Sequence, residues 1–276
     1  MLYPSKYVNI IINRIIWDTQ KNTEADEKLA LKREEPERKI KRNKDFPFMK
    51  SINNVRFITL WIFIVPLIAI NLCLYITTQL HHLINSDFWL FNAFPYIDGQ
   101  ASISRVTRFF PNYLIFKPAM FLTSYLLVKY WLYNREIIKH IDDNHKYIRK
   151  FFFFGIASAV MLTLHSIFLG IKIDYDIYKL FRRVVLLSFI IFEVVAQAYL
   201  VLTLYSFKDK LDKFINKKYL KIKLILVSTL IIVAIISIPI ISLPGNKFLK
   251  HALEWDYFLG VISFYLLTFF MWRKNN

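Results

Sequence analysis

The chain has 276 residues, 56% of them hydrophobic and 17% aromatic, with a formal net charge of +17 and a single cysteine. One cysteine excludes an intramolecular disulfide. Alternating strands of about ten residues, which a membrane barrel needs, are absent, so an outer-membrane barrel is excluded as well.

Residues Met1–Lys50 do not read as a signal peptide, because Asn9, Asn13 and Arg14 interrupt the apolar stretch Tyr7–Trp17 and no small-residue cleavage site follows. Lys6, Asn9 and Asn13 form a polar stripe at helical spacing, which predicts a short helix lying on a membrane surface. Glu24–Asp45 is dense in both charge signs and reads as solvated.

Six apolar runs follow: Phe57–Thr78, Tyr113–Leu132, Phe151–Ile171, Val184–Tyr205, Leu224–Leu243 and Leu253–Trp272. About 20 apolar residues in a helix match the ~30 Å hydrocarbon core of a bilayer. No water reaches that core, so each span must bond its own backbone as a helix. The predicted fold is an all-α polytopic transmembrane bundle with six spans. A cytoplasmic segment, 1–50, precedes the membrane domain, 51–276, whose longest outer loop is 80–111.

Of the 37 Lys and Arg residues, 28 fall in Met1–Arg56, Lys129–Lys150, Phe207–Lys223 and the tail after Trp272. These four segments share one side of a six-span topology, and the positive-inside rule puts both termini in the cytoplasm. The basic residues flank spans without any recognition fold around them, so no nucleic-acid partner is expected. Membrane lipids are the expected partners, and the basic inner loops offer a surface for a cytoplasmic protein. The location implied is a plasma membrane or a bacterial inner membrane.

Ionisable groups inside a membrane point to function by default. Glu193 lies midway along the fourth run, Gln197 is one turn further in, and His165 is in the outer half of the third. A Glu193–His165 contact is feasible at these depths. A proton relay and a hydrogen bond between helices both remain open for Glu193. At the outer face, Arg105, Arg108 and Lys117 suggest a cationic rim for a lipid phosphate. His251 and Glu254 share one face at the start of the last helix. His81 and His82 are on the same side, but no metal-ligand spacing supports a zinc site. Neither metal nor cofactor is expected. Ser102 and Ser104 serve as nucleophiles only beside a base, and no GxSxG elbow is present.

The outer loop reads Pro95-Tyr96-Ile97-Asp98-Gly99, then Ser102-Ile103-Ser104, then Pro111-Asn112-Tyr113 entering a span, and Glu254-Trp255 opens the last span. This order resembles the DRAM/FRAG superfamily of six-span proteins, which includes damage-regulated autophagy modulators and factors that remodel GPI-anchor lipids. The chain departs from the family's P-x-I-S element in placing Ser-Ile-Ser later. The resemblance covers Phe57 to Trp272 and implies a lipid-linked role. It carries over to Asp98, Ser102, Ser104, Tyr113 and Glu254 as candidate site residues.

The leading expectation is a protein that binds, organises or remodels lipids through an outer-face site. That site would comprise Asp98, Ser102, Ser104, Arg105, Arg108, Tyr113, Lys117, His251 and Glu254. The alternatives are a membrane-embedded acyl or headgroup transferase or hydrolase, and a transporter using Glu193 and His165.

Overall fold

The computed structural model describes residues 48–80, 90–91, 93–171, 175–242 and 245–273. The chain divides into two compact units, Met1–Lys50 and Ser51–Asn276. The helix expected at Tyr7–Trp17, the charged stretch Glu24–Asp45 and the pair His81–His82 lie outside the described residues.

The described chain is all helical, with no strand among the described residues. The long helices are α1 (Phe48–Gln79), α4 (Asn112–Ile141), α5 (Ile148–Phe168), α6 (Asp176–Ser206), α7 (Lys217–Ser242) and α8 (Lys247–Met271). Two short helices, α2 (Pro95–Asp98) and α3 (Ile103–Thr107), sit in the connection between α1 and α4. Five helices, α1, α5, α6, α7 and α8, are long and apolar enough to cross a membrane. This marks the chain as a membrane protein. α4 has 30 residues but is not among the five, because Lys117, Thr123, Ser124, Lys129 and Asn134 dilute its apolar run. Length and apolarity therefore support five crossing helices where the pattern of apolar runs predicts six.

Lipid tails are as apolar as leucine, so helices in a membrane associate through close packing and interhelical hydrogen bonds. α5 packs along both α4 and α6, and α7 along both α6 and α8. Gly155 of α5 lets the Trp131 ring of α4 approach so closely that an added Cβ would lie 2.3 Å from it. Ser124 of α4 donates to the Ala159 carbonyl of α5 at 2.7 Å. Asn112, fully buried at the start of α4, directs its amide nitrogen at Cys73 O (3.0 Å), Thr77 Oγ1 (2.9 Å) and Val106 O (2.8 Å). One side chain thus ties α1 and α3 to α4. The lone cysteine is buried here, and its thiol donates to the Asn112 carbonyl at 3.4 Å.

The helices extend past their apolar runs. α6 starts at Asp176, an acidic residue in its first turn that complements the helix dipole. α7 starts at Lys217, which pairs with Asp212 at 2.9 Å and Asp209 at 3.4 Å. The Lys217 ammonium holds the Asp212 carboxyl below its usual range, although so exposed a pair contributes little to stability.

Candidate functional site

The connection between α1 and α4 is held against the first turns of α8 by bonds from α8 to its backbone. Pro95 opens α2, and Gly99 ends it in the left-handed conformation with φ 61°. His251 Nδ1 lies 2.9 Å from the Gly99 carbonyl oxygen. The Trp255 indole N–H donates to the Ala101 carbonyl at 2.8 Å. The Glu254 carboxyl accepts backbone N–H groups of Ile103 and Ser104, the first residues of α3, whose donors have no partner within the helix. Residues 251, 254 and 255 thus present one face of α8 to three successive parts of the loop. Tyr96 packs edge-on against Trp255, with ring centroids 4.8 Å apart, and donates to Asn71 of α1 at 3.1 Å. Burial pushes the Tyr96 phenol up, an effect the bond to Asn71 opposes.

This arrangement defines a latch between α8 and the loop. Trp255→Phe should keep the aromatic contact but leave the Ala101 carbonyl without its donor. An unmade buried hydrogen bond costs about 1–3 kcal/mol. Thermal unfolding in detergent should register a loss in that range, and unchanged stability would mean that water replaces the indole.

The residues expected at the outer face separate into two groups. Asp98, Ser102, His251 and Glu254 are bonded to the loop itself. Asp98 accepts from Phe94 N at 2.6 Å and Gln100 N at 2.9 Å, closing its own turn. Ser102 caps α3 by accepting from Arg105 N at 3.2 Å. Its hydroxyl oxygen is 3.3 Å from that of Ser104, and among the described residues no carboxylate or imidazole hydrogen-bonds either hydroxyl. Lys117 reaches the Ile167 carbonyl at 3.3 Å and lies 5.9 Å from the Tyr113 ring centre; it links α4 to the end of α5.

The second group is cationic. Arg108 folds back so that its Nε donates to the Ser104 carbonyl at 3.2 Å. Burial pulls the Arg108 guanidinium below its usual value, with further lowering by Arg182 and Arg105 and an opposing pull from Glu254. Arg182, on the second turn of α6, was not among the residues singled out in the sequence. Its position before an apolar run reads as an ordinary boundary cation, and only the packing of α6 beside α5 brings it within electrostatic reach of Arg108.

Beneath the latch runs a partly enclosed cavity of about 100 Å³. Ser104 and Glu254 lie at one end, Glu193 and Tyr265 at the other, and Leu162, His165, Leu186 and Ile262 are among the residues between them. From Glu254 to Tyr265 along α8 is about 16 Å at 1.5 Å per residue. The lining is almost entirely apolar carbon.

Glu193 closes the deep end and is fully buried. Its Oε2 accepts from Ser158 of α5 at 2.6 Å, and its Oε1 accepts from Gln197 at 3.0 Å. The Tyr265 hydroxyl of α8 also donates to Oε1. Gln197 donates in turn to the Val261 carbonyl at 3.3 Å. Glu193 thus joins α5, α6 and α8. The structure does not bring it into a bond with His165. Ser158, its partner on α5, precedes His165 by two helical turns, so His165 sits about 10 Å nearer the latch. The imidazole is 6% exposed and its Nδ1 has no hydrogen-bond partner.

Lys223 also escapes a reading by charge, which places it in an inner loop. It is fully buried on α7, donates to Thr268 Oγ1 at 2.7 Å and lies 3.9 Å from the centre of the Phe264 ring. Only tertiary packing reveals it, because the run of lysines before it is indistinguishable from a solvated face.

Among the described residues, no group of three or more His, Cys, Asp and Glu side chains is placed to hold a metal ion. Neither a protein-family model, nor a curated protein, nor a solved structure matches the chain.

Proposed function

We propose that the chain is a six-span integral membrane protein that handles lipid by receiving a single acyl chain in the cavity beneath the latch. The apolar lining between Glu254 and Tyr265 carries this reading. Such a cavity offers dispersion contacts and few hydrogen bonds, which suits a hydrocarbon chain and not a hydrated solute. The resemblance of the outer loop to the DRAM/FRAG superfamily points toward lipid in the same way.

The sixth span in this reading is α4. Its Tyr130 and Trp131 are fully buried, and Tyr130 packs edge-on against Tyr265 of α8 at 5.0 Å. Six crossings put both termini on one side, and the cation-rich segments make that side cytoplasmic. The latch then faces outward.

A transporter reading draws on the same cavity, because Glu193 and His165 both line it. The carboxyl is nevertheless occupied by three internal donors, and the walls between the two residues are apolar. A hydrolase or transferase finds less support, since among the described residues no carboxylate or imidazole hydrogen-bonds either serine hydroxyl.

Leu162→Trp places an indole in the cavity. The purified variant and the wild type are to be incubated with mixed-lipid vesicles, re-isolated and analysed for bound and altered lipids by mass spectrometry. The wild type should retain an acyl lipid, and the variant should lose most of it, with equal thermal stability. Equal retention by both proteins would refute the cavity as the binding site. A change in the vesicle lipids that requires wild-type protein would instead establish an enzyme.

A further inference from the structure

We infer that the outside of the bundle carries a second lipid site, on the seam between α5 and α6 at the end opposite the latch, and that it takes a phospholipid with a net negative head. The phosphate of the head meets Lys146 and Lys150, and one acyl chain lies along Tyr199, Phe154 and Phe192. This site is independent of the cavity.

Four aromatic rings form a ladder down the seam. Tyr147, just before α5, packs against Tyr199 of α6 with ring centroids 5.3 Å apart. Tyr199 stacks on Phe154 of α5 at 6.3 Å with 14° between the planes, and Phe154 meets Phe192 of α6 at 5.8 Å. Phe192 precedes Tyr199 by seven residues, so this part of the ladder descends about 10 Å into the bundle. Each of the four rings is half-buried. The adjoining Phe153 and Ile191 are 66% and 48% exposed. In a membrane, what meets rings open to the outside of a bundle at this depth is lipid tail.

Positive charge is gathered at the end of the same ladder. Lys146 Nζ lies 4.7 Å from the centre of the Tyr147 ring, and Lys150 Nζ lies 5.9 Å from it. Lys150 Nζ is also 5.4 Å from the centre of the Tyr199 ring. Two ammonium groups thus converge on one ring, and cation–π attraction holds them at the head of the ladder. Arg149, between them in the chain, is exposed as well. Among the described residues, none of the three forms an ion pair with a carboxylate. The acids of the two adjoining connections are engaged elsewhere. Asp143 pairs with Lys139 at 3.2 Å, Asp142 lies 3.7 Å from His145 Nδ1, and Asp209 and Asp212 both hold Lys217. An anionic phosphate supplies the missing counter-charge, and cations flanking a span draw anionic headgroups. A soluble anion would meet the lysines and leave the rings unused. A phospholipid meets both, with its phosphate at the ammonium groups and its chain against the rings below.

The full chain is to be reconstituted in phosphatidylcholine nanodiscs containing a minor share of phosphatidylglycerol with the same acyl chains. The protein is then extracted into detergent, and its retained lipids are counted by native mass spectrometry. The wild type should retain phosphatidylglycerol about tenfold above its share of the disc, the scale that two lysines at an anionic head supply. Lys146→Gln with Lys150→Gln should bring retention to within about twofold of that share, with unchanged thermal stability, since both positions are exposed. Lys218→Gln with Lys221→Gln removes the same charge from exposed positions of α7 at the same end and should leave the enrichment intact. An excess of glycerol phosphate, the head without its chains, should not displace the lipid. Absence of enrichment in the wild type would overturn the site. Equal loss in both lysine pairs would overturn it too, because diffuse charge would then suffice. Displacement by glycerol phosphate would overturn the role of the aromatic ladder.

Discussion

Gly99→Ala should release the loop from α8 and lower stability by about 3 kcal/mol, the largest effect expected of any single methyl group in this protein. Two independent costs add. Gly99 has φ +61°, where an L-residue loses roughly 1–2 kcal/mol. The new Cβ would lie 1.8 Å from the Phe248 carbonyl oxygen and 2.6 Å from its carbon. Both are backbone atoms of α8, so no rotamer relieves the overlap, and overpacking of this kind costs about 1–3 kcal/mol. Relief requires α2 to move away from α8, which breaks the contacts at Gly99 O and Ala101 O together. Gly245→Ala is the control, since φ is +93° there but nothing lies within 4 Å of the added carbon. In a domain of this size, melting in detergent should fall by roughly 6–12 °C for Gly99→Ala. The control should fall by about a third to a half of that. Equal shifts would show that the close approach of α2 to α8 contributes nothing.

Glu193→Ala should destabilise the bundle by about 3 kcal/mol, with Glu193→Gln within about 1 kcal/mol of wild type. Alanine removes the acceptor for Ser158, Gln197 and Tyr265 at once, in a site without exposure. Ser158 retains a second acceptor, Gly155 O at 2.8 Å, so its loss is mild. The Tyr265 hydroxyl donates to no second acceptor among the described residues. Glutamine keeps the shape and an oxygen for Tyr265. Its N–H group can donate to Ser158 Oγ while the serine hydrogen turns to Gly155. Interhelical bonds in membranes average less than their isolated strength, because the separated helices find other partners. The prediction is therefore carried by the contrast between the two variants. Thermal melts showing both equally destabilised would mean that charge, and not bonding capacity, is what the site needs.

Much of the architecture is legible in the chain. Each apolar run coincides with one long helix, because only a helix closes its backbone bonds in hydrocarbon. Helix ends are less legible. Asp176–Arg183 and Lys217–Lys223 continue α6 and α7 beyond their apolar runs, because charged residues at a span's end have no reason to interrupt a helix: a charged tip there can reach water or, as at Lys223, a buried hydroxyl. α4 shows the opposite difficulty: Asn112, Ser124 and Asn134 lower its apolarity, yet all three are buried and bonded within the bundle.

The candidate site was half visible. The spacing of His251, Glu254 and Trp255 shows that they share a face. What they bond to is the backbone of residues 99–104, about 150 positions earlier in the chain. Backbone groups are the same in every residue, so no pattern announces them. The cationic reading found Arg105 and Arg108 but paired them with Lys117, whose ammonium is engaged by Ile167. The position of Arg182 arises from packing of α6 beside α5, and the cavity from packing among α1, α4, α5, α6 and α8, none of which a linear pattern encodes.

The central claim is that an acyl chain lies in the cavity between Glu254 and Tyr265. The most direct measurement is photo-crosslinking with a fatty acid that carries a diazirine at mid-chain, with the adducts mapped by peptide mass spectrometry. The expected result is labelling of the cavity walls at Leu162, Leu186 and Ile262, lost in Leu162→Trp. Labelling confined to outward-facing side chains of α7 such as Ile232 and Ile235, and unchanged by that substitution, would contradict it.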